Sequence, residues 1–396
     1  MADRNAINAC GENWMLIRRI DAPRTNAGNV ASTLPDSCQG DFQRFDFEPP
    51  QPHRHTHFFS VLNARSMEPF KNELWLNRSG LGGVSALIAR NIRVVGASVL
   101  YSKDALFLPD EEFPGYLEQL FSNPVRKNKH DQFNSAPPDL VLEHAFVISH
   151  FLSKIYGHSL LEVFPKLALV KHYYDHGMKI PILLGHSEPG FVADFIRIAI
   201  PDAVIVEMLS EEGALVKNCL IPSQCKMYLL TPFHRKFFDE LANKCQSLYA
   251  NDVMPDKILV SRENIAANFR DLENWEEIKR IAIDYGYSEV CPEKLPLAQQ
   301  ISMFARAKSI LGEYGSALHN SIFAQQKTHV IALNWINMVQ QAIGLVRGQA
   351  NIFILGDDGK PVLAPPPNTA GPIPIQKFSV PCDVVSQALD FVNGEM

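Results

Sequence analysis

The chain has 396 residues, 46% of them hydrophobic and 20% charged, enough apolar bulk for a large buried core and, at roughly 100 to 200 residues per domain, for two domains. That excludes a small disulfide-stapled scaffold and a disordered tail. With 37 basic against 43 acidic residues, a formal net charge of −6 and no dominant basic block, nucleic acid is not the expected partner, and a small or neutral ligand fits better. The 7 cysteines (Cys10, Cys38, Cys219, Cys225, Cys245, Cys291, Cys382) lack CxxC or regular Cys/His spacing, which argues against a disulfide framework or a zinc site. No apolar stretch follows a basic start and no run of about 18 apolar residues occurs. The expectation is a cytoplasmic protein with no transmembrane span, compatible with peripheral association at the inner face of a membrane.

Residues 1–135 read as an arm and a β-rich lead-in. About the first 50 lack periodicity and end in the Pro-rich FEPPQPHRH. Beyond Asn91, the alternation of Ile92 and Val94 and the run ASVLYSKDALFLPD predict a hairpin, and SNPVRKNKHDQFNSAPPD reads as a surface loop. From 136 to 250 the rhythm is α/β. LVLEHAFVIS suits a strand, LLEVFPKLALVKHYYDHG a helix closed by Gly177, KIPILLGH a strand, FVADFIRIAI a helix stopped by Pro201, AVIVEML a strand and TPFHRKFFDELANKCQSLY a helix.

NDVMPD is a linker or turn, and a second series fills 251–350. KILVSRE, EVCPE, SILGEYG and THVIALNW read as strands; NWEEIKRIAIDYG, LPLAQQISMFARAK and SALHNSIFAQQ read as helices. Two such series predict two α/β, Rossmann-like domains divided near residues 230 to 255, with ligand bound in the cleft beyond the carboxyl ends of their strands. Residues 351–396 read as a Pro-rich return ending in a short helix, VVSQALDFV.

Four segments carry chemistry. In ILGEYGSALHNSIF, Gly312 and Gly315 bracket a strand-to-helix turn, and Ser316 is placed to cap a helix whose first amides would bind an anion. Glycines at such turns are as often turn chemistry alone; the polar company of Glu313, Tyr314, His319 and Asn320 favours a site. In KILVSRENIAANFR, Ser261 and Arg262 end a strand, and a guanidinium fork there matches a pair of phosphate oxygens; Arg270 adds a second charge. A lone strand-end Ser-Arg is more often a surface ion-pair partner, and the glycine turn two βα units later tips the balance. In EVCPEKLPLAQQ, Pro292 and Glu293 are placed to meet a base or ribose, Pro296 suits a first helical turn, and Gln299 and Gln300 fall near the helix start; an ordinary cap with solvated glutamates is the equal alternative.

The fourth segment, YGHSLLEVFPKL, spaces His158 and Glu162 at i, i+4 on one helix face, where a carboxylate orients an imidazole as a general base. Most of the 13 histidines must do something else. His186, Ser187 and Glu188 in GHSEPG form another strand-end candidate, while His172, Tyr173 and His176 read as packing or surface.

In order and spacing, YGHSLLEVFPKL, ILVSRENIAANFR and YGYSEVCPEKLPLAQQISMFARAKSILGEYGSALHNSIF resemble glycosyltransferase family 61, most closely bacterial capsular polysaccharide biosynthesis proteins, over roughly residues 85–340. The resemblance implies a GT-B fold of two Rossmann-like domains facing a cleft. It further implies an inverting mechanism and a nucleotide-sugar donor, UDP-linked, with no obligatory metal and no cofactor besides that substrate. The acceptor would be a glycan or glycolipid. By motif, Ser261, Arg262 and Arg270 fall where the family grips the donor diphosphate, and Tyr314, Gly315, Ser316, His319 and Asn320 in its glycine turn. Glu293 and Gln300 line the nucleotide side, and His158 and Glu162 match its Gly-His motif. Many eukaryotic members have His at the position of Tyr314, and Arg is common at that of Lys166. A nucleotide- or glycan-binding protein of the same fold without catalysis is the alternative. A dinucleotide-dependent oxidoreductase fits less well, since GxGxxG followed by an acidic residue about 20 positions on is missing.

Overall fold

A computed structural model describes residues 42–48, 59–63, 83–96, 98–102, 105–107, 124–149, 152–223, 230–262, 270–334, 338–359 and 375–395. They fall into two compact units, one drawn from 1–51 and 81–226, the other from 52–80 and 227–396. The chain therefore visits both units before its main α/β series begins: β1 (Phe42–Glu48) lies in the first and β2 (Phe59–Leu62) in the second.

The first unit continues with β3 (Val84–Val95), β4 (Val99–Ser102), β5 (Ala105–Phe107), α1 (Pro124–Ser135) and β6 (Leu140–Val147). A helical turn at Tyr156–His158 and a wide turn at Ser159–Val163 lead into α2 (Lys166–Asp175), followed by β7 (Ile182–Leu184), α3 (Gly190–Ala199), β8 (Ile205–Glu207) and β9 (Ala214–Pro222). One sheet runs β5-β4-β3-β9-β6-β7-β8, with β1 also paired to β3. The β9-β6-β7-β8 half is parallel, and the β3, β4 and β5 pairings are antiparallel. Within it, β6, β7 and β8 are the βαβ series expected from the sequence; the hairpin of β4 and β5 is there too, with its turn residues Lys103 and Asp104 outside the described residues.

Two expectations change in this unit. The β-rich lead-in is not a separate region, because β9 joins β3 to β6. The β9 sequence GALVKNCLIP carries no clear strand signal of its own: Lys217 and Asn218 break its apolar run, although Ala214, Val216, Cys219 and Leu220 are fully buried. The loop expected over SNPVRKNKHDQFNSAPPD contains helix α1. Its sequence is too polar to show a periodic face, and its end is fastened from elsewhere: Arg93 donates to the carbonyls of Phe133 (2.9 Å) and Ala136 (3.0 Å), where a helix leaves acceptors unpaired.

The second unit comprises α4 (Pro232–Leu248), β10 (Lys257–Val260), β11 (Arg270–Leu272), α5 (Trp275–Asp284), β12 (Ser288–Val290), α6 (Leu297–Arg306) and β13 (Ser309–Glu313). A 3₁₀ segment (Leu318–Phe323), β14 (His329–Leu333), α7 (Met338–Arg347), β15 (Ala350–Ile354), β16 (Gln376–Phe378) and α8 (Cys382–Glu395) complete it. Six strands form a wholly parallel sheet in the order β12-β10-β13-β14-β15-β2. Its inner strands β10, β13, β14 and β15 are largely apolar on both faces, as a sheet covered on both sides requires. Leu259, Leu311 and Ile331 pack against α5 and α8 through Ile278, Ala282, Val385 and Leu389. The alternate residues Ile258, Ile310 and Val330 are equally buried, and α4, α6, α7 and the 3₁₀ segment pack on one another on that opposite side.

This division differs from the one expected at residues 136–250, 251–350 and 351–396. Helix α4 belongs to the second unit because its apolar face packs there, with Phe238 edge-on to Phe323 at 5.5 Å. Beyond residue 350, β15 is an inner strand of the sheet, and β2 adds the edge strand beyond it, four residues too short to be read as a strand alone. The expected Pro-rich stretch at 360–374 and residues 1–41 of the arm expected over about the first 50 lie outside the described residues, and the arm's end is not loose chain but β1, paired with β3. Among the described residues no helix is long and apolar enough to cross a membrane.

Candidate functional site

In the second unit the chain runs from β10 outward to β12, then crosses back over β10 to β13 and continues to β14 and β15. The direction of winding therefore reverses between β10 and β13. Adjacent loops leave the carboxyl ends of such a strand pair on opposite sides and open a crevice, the usual ligand position in an open parallel sheet. Two segments predicted from the sequence to bind an anion lie there, 52 positions apart in the chain and adjacent in space.

The strands approach closely, with Gly312 in register with Val260; a Cβ on Gly312 would stand 2.9 Å from the Val260 carbonyl oxygen, so no side chain fits. Ser261 extends β10, its N–H donating to Val290 (2.8 Å), and its side chain is fully buried with the hydroxyl on Glu289. Burial alone would raise the Glu289 carboxyl. The Lys279 ammonium at 2.6 Å and the Ser261 hydroxyl outweigh it and hold the group below the usual carboxylate range. Ser261 thus anchors the strand end, and the half-buried Arg262 is the residue presented beyond it. The Arg262 Nη1 makes a long contact, 3.4 Å, to the Tyr314 carbonyl.

Tyr314 donates its N–H to Leu333 and sets its ring edge-on against His319 at 5.8 Å. The turn then closes through carbonyls: Gly315 accepts from Leu318 (2.9 Å), Ser316 from His319 (3.2 Å) and Ala317 from Asn320 (3.2 Å). After Ala317 the chain forms six residues of 3₁₀ helix, not the α-helix capped by Ser316 that the sequence predicts. The Asn320 amide, fully buried, donates to the Ala317 carbonyl (3.1 Å), and His319 is buried under Tyr314, so both brace the turn from inside. Among the described residues none accepts a hydrogen bond from the N–H groups of Gly315, Ser316 and Ala317. Three successive amides at a switch point suit an anion.

Glu293 is exposed in a single 3₁₀ turn after β12, and Gln300 lies in the first turn of α6 with its amide on the Leu295 carbonyl (3.0 Å). Pro296 precedes α6, where its carbonyl accepts from Gln299 and Gln300. Glu293 therefore follows the strand that lies across β10 from the glycine turn, whereas α6, which carries Gln300, packs on the 3₁₀ segment itself. Arg270 opens β11, which pairs with β16 in a small parallel sheet; its side chain lies outside the described residues.

In the first unit, β6 and β7 are parallel neighbours, so the loops after Val147 and Leu184 leave the same edge. The first loop enters the helix carrying His158. Pro165 has no N–H to offer the Leu161 carbonyl, and the helix accommodates it by widening: Phe164 N–H reaches Ser159 O at 2.8 Å, five residues back. On this wide turn His158 Nδ1 lies 3.0 Å from Glu162 Oε1, the carboxylate side chain 1% exposed and the imidazole 27%. A buried carboxylate needs a donor, so Nδ1 carries the proton and the basic lone pair falls on Nε2. Lys166 is buried with its ammonium on the Ile148 carbonyl (3.2 Å), tying α2 to the end of β6.

Both oxygens of Glu188, in the loop after β7, receive the Ser153 hydroxyl, at 2.7 and 2.8 Å, and burial raises its pKa. His186 Nδ1 lies 3.4 Å from the Met208 carbonyl. His172 packs on His176 and on Phe47, as expected for helix histidines away from the strand ends. A buried network behind the 3₁₀ segment has no sequence signal. Gln340 donates to the Ser321 hydroxyl (2.9 Å), Gln349 to its carbonyl (2.7 Å), and Arg347 to the Ala324 carbonyl (3.0 Å) while pairing as an ion with Asp239 at 2.6 Å.

Residues 156–331 match the family model of Glycosyltransferase 61. The match begins on the turn that carries His158 and ends within β14, so it covers under half of the chain yet takes in every predicted site residue of both units. No curated protein matches the chain. The glycosyltransferase 61 match supports transferase chemistry, and with it a sugar donor and an acceptor.

Proposed function

We propose that the protein is an inverting glycosyltransferase that moves a sugar from a UDP-linked donor to a glycan or glycolipid acceptor in the synthesis of a bacterial surface polysaccharide or glycoconjugate, working in the cytoplasm. The observation that carries this reading is the meeting of Arg262 with the Tyr314–Ala317 turn at the point where the parallel sheet reverses direction. A guanidinium and three backbone amides there suit a diphosphate. The family match over the same residues supports the transfer itself.

Direct displacement requires three things of the chain. His158 Nε2 takes the proton of the acceptor hydroxyl as its oxygen attacks the anomeric carbon, and the buried Glu162 carboxylate stabilises the imidazolium that forms. The bond from the anomeric carbon to the diphosphate oxygen breaks with its electron pair. That charge settles on Arg262 and on the amides of Gly315, Ser316 and Ala317. In this reading Glu293 and Gln300 serve the nucleotide.

The test is a panel of UDP, GDP, CMP and NAD in thermal-shift measurements, followed by release of free nucleotide from the matching nucleotide sugars. A ligand that binds only the folded state raises its apparent stability. UDP should raise the melting temperature and a UDP-sugar should be slowly hydrolysed. Stabilisation by NAD and by no sugar nucleotide refutes the reading, and UDP binding without hydrolysis or transfer from any UDP-sugar leaves a binding protein.

A further inference from the structure

We propose that Glu188 is a positioning residue for His158: its carboxyl clamps Ser153, and through Ser153 it fixes the turn on which the His158–Glu162 pair is built. The kinetic consequence rests on the glycosyltransferase reading; the clamp itself does not.

The loop after β7 is bent to bring this carboxyl back onto its own strand end. Ser187 has φ +56°, a left-handed backbone that side-chain-bearing residues seldom adopt. A Cβ on Gly185 would stand 2.9 Å from Glu188 Oε1 and 2.7 Å from Ser98 Oγ, so only glycine lets the carboxyl fold in, and the Gly185 N–H bonds to it. An exposed glutamate needs none of this strain.

The connection to His158 runs through one residue. Ser153 is almost fully buried; its hydroxyl is shared between the two Glu188 oxygens, and its carbonyl accepts the hydroxyl of Ser159. Ser159 directly follows His158 and opens the wide turn whose last bond, Phe164 N–H to Ser159 O, sets the pitch that brings Glu162 under the imidazole. Side chain 188 therefore holds side chain 153, and main chain 153 holds residue 159. As a strand-end carboxylate Glu188 is also a candidate for the base itself. With the Ser153 hydroxyl on both of its oxygens and the Gly185 N–H beside them, this carboxyl is occupied as an acceptor, and the proton-taking role falls to the imidazole it helps to place.

The experiment compares Glu188→Ala, Ser153→Ala and Glu188→Gln. A glutamine keeps an oxygen for the Ser153 hydroxyl and cannot act as a base. Glu188→Ala and Ser153→Ala should lower kcat by roughly ten- to a hundredfold, with the KM for the donor within about twofold, because displacement of a reacting group by an ångström costs on this scale. Glu188→Gln should stay within about threefold of the wild type. Hydrogen exchange at the Ser159 and Phe164 amides should be faster in both alanine variants and unchanged in the glutamine variant. Equal loss of kcat in Glu188→Gln and Glu188→Ala with unchanged exchange would overturn the proposal and make Glu188 a chemical participant. So would wild-type kcat and exchange in Glu188→Ala. If the wild type transfers from no sugar nucleotide, the transferase reading fails, and the exchange measurement alone decides the clamp: no acceleration in Glu188→Ala and Ser153→Ala overturns it. Ser153→Ala removes a single oxygen atom and keeps the test open if the Glu188→Ala variant does not fold.

Discussion

The amino end of α4 should loosen on acidification through one imidazole. His234 is buried at the third position of the helix, and its Nδ1 accepts the N–H of Thr231 at 3.2 Å and lies 3.0 Å from the Thr231 hydroxyl. That is the part a Glu or Gln usually plays in reaching back to the residue before a helix. Burial pushes the His234 pKa down to about 4, and protonation would also set a donor against the Thr231 N–H. In the unfolded chain the group titrates near 6.5. Its pKa is thus lower folded than unfolded, so its stabilising contribution is complete above about pH 7 and is lost as pH falls toward 4. At about 1.4 kcal/mol per pH unit, the loss between pH 7.5 and 5 is about 2 kcal/mol. Urea denaturation at both pH values, on wild type and on His234→Gln, isolates the effect, since the carboxamide accepts the same bond and does not titrate. Wild type should lose about 2 kcal/mol more than the variant over that interval. Equal losses would show that His234 is not the titrating group and refute the reasoning. The site should feel the change as well, because α4 underlies Phe323 through Phe238 and holds Arg347 through Asp239.

Three further outcomes are expected. His158→Ala and His158→Gln should lower transfer by roughly 10²- to 10⁴-fold while leaving the donor KM in place, read by initial rates at varied donor; near-normal transfer would move the base elsewhere. Gly312→Ala should destabilise the protein by about 1 to 3 kcal/mol in chemical denaturation, because the added methyl meets the rigid Val260 carbonyl at 2.9 Å; an unchanged midpoint would mean that the strands part easily. Arg347→Ala should cost about 2 to 4 kcal/mol and raise the donor KM, since the Ala324 carbonyl behind the 3₁₀ segment loses both Arg347 donors and keeps only the longer bond from Gln349, and Asp239 loses its ion-pair partner; a change in neither quantity would detach that network from the site.

How much of this is legible in the sequence depends on whether an element announces itself locally. The helices ending at Gly177 and Gly286 do. Each closes with the glycine in a left-handed conformation and the next amide reaching back, Met178 to Tyr173 and Tyr287 to Ala282, a stop that one residue type supplies. The strands KILV, SILGE and HVIAL are equally plain, being apolar on both faces. What stays hidden is decided at long range. Strand β2 exists because β15 offers an edge to it, α1 because Arg93 holds its end, and α4 joins the second unit because Phe323 and α6 receive its apolar face. At the site, the i, i+4 spacing of His158 and Glu162 and the Ser-Arg and glycine-turn segments are readable as chemistry. That Ser261 and Asn320 are buried braces, and that Ser153 mediates between Glu188 and the His158 turn, depends on partners no spacing rule relates.

The same distinction between side chain and main chain bears on position 314, where Tyr stands in this chain and His is common in many eukaryotic members of the family it resembles. The Arg262 contact is to the carbonyl of Tyr314, and the ring itself is turned against His319. If the backbone at 314 orients the guanidinium, the side chain need only be a ring that keeps His319 in place. Tyr314→His and Tyr314→Phe should then bind UDP within about threefold of wild type. Arg262→Lys should weaken it by roughly tenfold or more, because an ammonium keeps the charge but loses the planar fork that can meet the carbonyl on one side and a diphosphate on the other. Tyr314→Ala should fall between them, since the ring packing goes while the carbonyl stays. Calorimetric titration of UDP into the four variants gives the order. A Tyr314→Phe variant as weak as Arg262→Lys would assign the phenolic hydroxyl to the ligand and remove the backbone explanation for why Tyr and His interchange at this position.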